Sequence, residues 1–178
     1  MILTIFTLVH VVISLVAIVS GIVVLFGLLG RKRLDGWTKF FLAASAATSL
    51  TGFFFPFHGL TPAIVVGIIS LVVLAVAIFA RYGRNLAGVW RKIYVISGVL
   101  ALYFNVFVLI VQAFLKIPAL KEIAPTQNDP PFKLTQLVVL VAFIAFGVLA
   151  AIRFRVEAIG SAQSDPSRAK DSSLATHD

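Results

Sequence analysis

The chain contains no cysteine. Disulfides, thiolate metal sites, iron–sulfur clusters, thiol nucleophiles and lipids attached at cysteine are therefore excluded. Charge is also scarce: 12% of the 178 residues are charged, and 7 acidic side chains stand against 15 Lys and Arg. Five apolar runs, at about 2–29, 37–55, 62–80, 93–115 and 134–152, hold no Asp, Glu, Lys or Arg in their interiors. Only Lys39 falls inside one, close enough to its end to snorkel to an interface. Proton- and cation-coupled carriers commonly rely on a membrane-embedded carboxylate, so this absence weighs against that class. Enzyme signatures are missing too: there is no His-Glu-x-x-His, no P-loop and no Gly-x-Ser-x-Gly. Gly21 and Gly27, or Gly83 and Gly88, do not form a nucleotide fingerprint.

What is present is apolar. Hydrophobic residues make up 60% of the chain and the mean hydropathy is +1.06. A soluble domain sits near roughly 45–50% apolar, and a chain this short has no core large enough to hide the surplus. Runs of ~19 residues or more cross a ~30 Å hydrocarbon layer as helices, and continuous runs exclude alternating barrel strands. The expected fold is an all-α, polytopic integral membrane protein, a bundle of about five transmembrane helices over residues 1–156. Residues 157–178, small, polar and charged, are expected to form a disordered cytoplasmic tail. The first run lacks a basic leading segment and is followed by Arg31, Lys32 and Arg33, so it reads as a retained helix and not a cleaved signal.

The net charge of +8 would suggest nucleic acid in a soluble protein. Here the basic residues cluster at the ends of apolar runs, which points to topology and anionic headgroups, with no nucleic-acid partner. Arg31, Lys32, Arg33, Lys39, Arg81, Arg84, Arg91, Lys92, Arg153, Arg155, Arg168 and Lys170 fall on one side, and Lys116, Lys121 and Lys133 on the other. That bias puts the N-terminus outside and the C-terminus in the cytoplasm. The expected location is a bacterial inner (plasma) membrane. Trp37, Tyr82, Trp90 and Tyr94 fall at the cytoplasmic boundary, where interfacial aromatics belong. In the outer loop, 117–123 could form a short surface helix, and 125–131 reads as irregular chain.

His10 is the one ionisable side chain well inside an apolar run, and His58 lies in the second hairpin on the same, outer side. Two histidines from neighbouring elements could bind haem b axially, hold copper or zinc, or hydrogen-bond a quinone. Phe53, Phe54, Phe55 and Phe57 would suit a flat apolar ligand. The competing account gives each histidine an ordinary hydrogen-bond partner. Glu122 and Asp129 could join His58 around a metal, although acids in a polar loop are usually solvated. In the fourth run Tyr94, Ser97, Ala101, Asn105 and Gln112 are spaced to share one helix face. Asn105 and Gln112 could line a substrate path, or they could bond neighbouring helices. His10, Ser14, Ala17 and Gly21 make a similar face in the first run, as do Ser45, Ser49, Gly52 and Pro56 in the second. These small-residue faces could close on each other.

Three functions follow as expectations. The leading one is a small non-enzymatic accessory or interaction subunit that contacts other membrane proteins or itself. The second is an outward-facing haem, metal or quinone-binding redox protein using His10 and His58. The third is a small oligomeric carrier or channel.

Overall fold

The computed structural model describes residues 2–54 and 62–154, and every regular element among them is helical. The elements are α1 (Ile2–Leu29), α2 (Asp35–Gly52), α3 (Pro62–Ile78), α4 (Val89–Lys116), α5 (Pro118–Ile123) and α6 (Pro130–Arg153). A π turn, Phe79–Gly83, extends α3. The proposed tail and His58 lie outside the described residues.

The helices stop and start for local reasons. After α1, Arg31 adopts φ 60°, Arg31 N–H donates to the Leu28 carbonyl and Lys32 N–H donates to the Gly27 carbonyl. This is the left-handed reversal that satisfies the last carbonyls of a helix. Gly88, at φ 53° and ψ −120°, precedes α4 in a conformation that suits glycine. The helix therefore starts four residues before the apolar run and takes Arg91 and Lys92 into its first turns. α5 and α6 start at Pro118 and at Pro130-Pro131, where a missing N–H costs nothing. α5 occupies the expected short surface segment and buries no residue of its own. The loop around it is pinned by Phe114, Ala124 and Phe132, whose two rings meet edge to face at 5.4 Å.

Among the described residues four helices are long and apolar enough to cross a membrane: α1, α3 with its π turn, α4 and α6. α2 is shorter, at 18 residues, and carries Asp35, Lys39 and five Ser or Thr. Its polar side chains turn towards the other helices: Thr38 and Ser45 are buried, and Phe41 and Leu42 enter the core beside them. α4 is the central helix, packed against α1, α3 and α6, while α2 pairs chiefly with α1 and α3. The basic residues that flank α1, α2, the π turn, α4 and the end of α6 gather at one end, called the basic end below. α5 lies at the other.

The small-residue faces close within the chain. Ala17 is fully buried, and a Cβ added to Gly21 would lie 2.6 Å from Leu102 Cδ1 and 2.8 Å from Phe41 Cε2. Gly21 thus lets α1, α2 and α4 approach at a single point. α6 is attached more thinly. Phe132, Gln136, Ala150 and Phe154 are its buried residues or cap, and Phe143 and Gly147 continue the same stripe half-buried. Leu134, Val138, Val141, Leu149 and Ile152 on its other side are exposed. Apolar exposure on this scale requires apolar surroundings.

Replacing Gly21 by valine should lower thermal stability in detergent by about 1–3 kcal/mol, since the Phe41 ring has no room to yield. Gly98→Ala is the control: a Cβ there meets nothing within 4 Å. Thermal denaturation of that variant should show no loss, or a gain of up to about 1 kcal/mol. Equal losses in both variants would contradict the packing assigned to Gly21.

Candidate functional site

Polar side chains meet at three levels of the bundle, and α2 takes part in each. Its Thr38 and Ser45 are seven residues apart, two helical turns, so both face α4. Thr51 lies six residues further on, about 120° round the helix, and faces α1.

At the α5 end, His10 Nδ1 lies 2.8 Å from Thr51 Oγ1. The Thr51 hydroxyl also bonds to the Ala47 carbonyl of its own helix at 2.7 Å. The half-buried histidine is thereby oriented between α1 and α2. Its intended partner, His58, lies outside the described residues, so the two-histidine pair is not placed. Among the described residues no three His, Asp or Glu gather closely enough to share a metal ion. Asp129 instead accepts bonds from the Thr126 N–H and hydroxyl at 2.7 and 2.9 Å, which closes the loop before α6. Glu122 is exposed.

At mid-height, Asn105 Nδ2 donates to Ser45 Oγ at 2.9 Å and to the Ala101 carbonyl at 3.2 Å. The contact ties α4 to α2. Such a bond between membrane helices contributes about 0.6 kcal/mol. The stripe on α4 holds at Tyr94, Ser97 and Ala101, which are buried, and at half-buried Asn105. Gln112 departs from it. It is exposed near the end of α4, beyond the zone where α2 packs, and does not join Asn105 in an enclosed path. Gln136 bridges α6 to α4 instead, its Nε2 donating to the Phe107 carbonyl at 3.2 Å.

The basic end holds a cluster that composition and spacing alone did not reveal. Arg81, in the π turn, is only 8% exposed and is ion-paired with Asp35 at the start of α2. Its guanidinium also lies over the rings of Tyr94, at 5.2 Å, and Tyr82, at 5.7 Å. The Tyr94 hydroxyl donates a long bond, 3.4 Å, to Thr38 Oγ1. Tyr94 is thus a bundle residue at 2% exposure, not the interfacial aromatic its position in the sequence suggests. Trp37 and Tyr82 remain exposed at that end, and Trp90 stacks edge to face on Phe79. Arg81 reaches inward because the hydrogen bonds at the end of α3 widen: Arg84 N–H donates to the Phe79 carbonyl and Leu86 N–H to that of Ala80. One signal was present in the sequence. Asp35 is the only acidic residue before Glu122, so it is the one carboxylate that the first three loops offer a cation at this end.

Arg81 is buried, whereas the Asp35 side chain is 67% exposed, so water screens much of their attraction. Asp35→Asn should still cost about 1 kcal/mol, because it leaves a buried cation without its counter-charge. Adding Arg81→Met should recover part of that loss. A double-mutant cycle read by thermal denaturation should give at least about 0.5 kcal/mol of coupling, and strict additivity would remove the pair as a structural element.

Comparison of the chain with protein-family models, with curated proteins and with solved structures finds no significant match.

Proposed function

We propose that this chain is a non-enzymatic integral membrane protein that acts as an accessory or interaction subunit in a bacterial inner (plasma) membrane. α2 serves as its fifth span, the N-terminus faces outward and the basic end faces the cytoplasm. The observation that carries the reading is the use of polar side chains. His10, Asn105, Tyr94 and Arg81 are each bonded to a residue of α2, so they join this chain's own helices. A carrier or a redox protein needs such groups turned towards a solute or a cofactor. The inward turn of Thr38 and Ser45 supports membrane placement of α2 despite its polarity. The concentration of Arg and Lys at one end supports the orientation.

Because the small-residue faces close internally, contact with another membrane protein falls to the uncovered apolar faces. α6 offers the most regular one: Leu134, Val138, Val141, Ala145, Leu149 and Ile152 recur at steps of 3 and 4 and are all exposed. This stripe fits a helix of another membrane protein.

Two experiments test the reading. A photo-crosslinking residue at Val141, in native membranes, should yield one adduct of fixed mass that co-purifies in constant ratio, and the His10→Ala and Asn105→Ala variants should retain it. Crosslinks to lipid alone would count against the accessory role. Solute flux lost on Asn105→Ala, or a Soret band lost on His10→Ala, would replace it with the carrier or redox reading. For orientation, the cysteine-free chain permits clean single-cysteine labelling. Gln127→Cys should react with an impermeant thiol reagent added outside intact cells and Gly83→Cys should not, and the reverse pattern would invert the topology.

A further inference from the structure

Two cavities line up along the seam between α4 and α6. The first, about 340 Å³, lies at the basic end and is lined by Gly88, by Val89, Arg91, Lys92 and Val95 of α4 and by Ala151 of α6. The second, about 290 Å³, follows it towards mid-height. Its walls are apolar apart from one phenol ring and include Val99, Leu100 and Tyr103 of α4 and Leu140, Ile144 and Gly147 of α6. On α4, Lys92, Ile96, Val99 and Tyr103 succeed one another at steps of 4, 3 and 4. On α6, Ala151, Gly147, Ile144 and Leu140 run back at the same steps. Each series follows one helix face, so the cavities are successive stretches of one groove.

Its length and chemistry are those of an amphiphile. From Lys92 to Tyr103 the helix rises ~16 Å, close to half of a ~30 Å hydrocarbon layer. Among the described residues the basic stretch brings together two cations and no acid. It adjoins the first turns of α4, where the helix dipole is itself positive, so the arrangement favours an anion on two counts. In the apolar stretch, glycine at 147 keeps the wall low, since a Cβ there would already touch Val99 Cγ1 at 3.5 Å.

We propose that the α4–α6 seam binds one anionic phospholipid. Its phosphate sits between Arg91 and Lys92, and one acyl chain lies in the groove as far as Tyr103. The inference rests on the membrane reading above and is independent of the accessory role.

The natural probe is tryptophan. With Trp37→Phe, Trp90 is the only tryptophan, one residue from Arg91. The full chain is reconstituted in phosphatidylcholine vesicles, and Trp90 fluorescence is titrated with phosphatidylglycerol or phosphatidylcholine carrying brominated acyl chains. The anionic lipid should reach half-maximal quenching at a mole fraction at least about fivefold lower, the effect expected of one or more basic side chains at a membrane surface. R91Q/K92Q should abolish this preference while quenching by brominated phosphatidylcholine persists, which shows that the variant is still inserted. Gly147→Leu, which fills the groove, should also weaken anionic quenching, and millimolar inorganic phosphate should not displace the lipid. Equal quenching by the two lipids overturns the proposal, as does a preference that survives R91Q/K92Q. A preference indifferent to Gly147→Leu assigns the effect to general surface charge, and displacement by phosphate assigns it to an ionic site without a lipid; either result rejects the groove. Failure of both lipids to quench would reject the membrane reading itself.

Discussion

The bundle depends on a constraint of its surroundings. Where there is no water, a polar side chain keeps its free energy low by bonding to the backbone of its own helix or, where it joins helices, by finding a partner on another. α2 supplies those partners. Thr38 meets Tyr94, Ser45 meets Asn105 and Thr51 meets His10, while Asp35 meets Arg81 at the helix start. The spacing of seven and then six residues directs the first two contacts to α4 and the third to α1. The least apolar helix is for this reason the one that fixes how the others are arranged. Each contact is individually modest, of the order of 0.6 kcal/mol between membrane helices, but a shift of one helix by a turn would break several together. The small residues Ala17 and Gly21 then allow the approach that the hydrogen bonds require.

Much of this architecture is legible in the amino-acid sequence, because hydropathy over twenty residues is a strong signal. The apolar runs locate α1, α3, α4 and α6, and 117–123 reads as the short helix α5, whereas α6 starts at Pro130, inside the stretch 125–131 that reads as irregular chain, because a proline fits the first turn of a helix. The alignment of Tyr94, Ser97, Ala101 and Asn105 on one face is likewise a matter of counting. What sequence reading missed is set by local hydrogen bonding or by where a neighbour ends. Arg81 looks like one more flanking cation. Only the π turn, a change from one carbonyl acceptor to the next, carries it inward, and no composition signals that change. Gln112 shares the face of Asn105 but lies past the region where α2 packs, so the same periodicity ends in exposure. Tyr94 fits both an interfacial belt by position and the inward stripe of α4 by spacing, and its contacts with Thr38 and Arg81 decide for the second. The early start of α4 depends on the backbone of Gly88, since Arg91 and Lys92 are compatible with either loop or helix.

α6 differs from the other long helices in how little of it is held. It is fastened near each end, by Phe132 and Gln136 at one and by Ala150 and Phe154 at the other. Between these points Phe143 and Gly147 make the contact, and the groove to α4 remains. Dispersion is lost wherever an atom faces a gap, so an unfilled groove leaves both walls short of contacts. An acyl chain is a suitable filler, being flexible, apolar and available from the same leaflet. A phosphate over Arg91 and Lys92 would hold it in register.

That arrangement also bears on how the opposite side of α6 could work as an interface. A helix braced on one flank loses less freedom when a partner docks on the other, and the loss of freedom is a principal cost of association. With both proposed occupants bound, the two faces of α6 would be coupled through the rigidity of a single helix, with no change of shape required. On this argument a lipid in the seam would favour a protein on the Leu134–Ile152 stripe, and the protein would by reciprocity favour the lipid. The coupling can act only through α6, because α4 is already held by three neighbours and has little freedom left to lose.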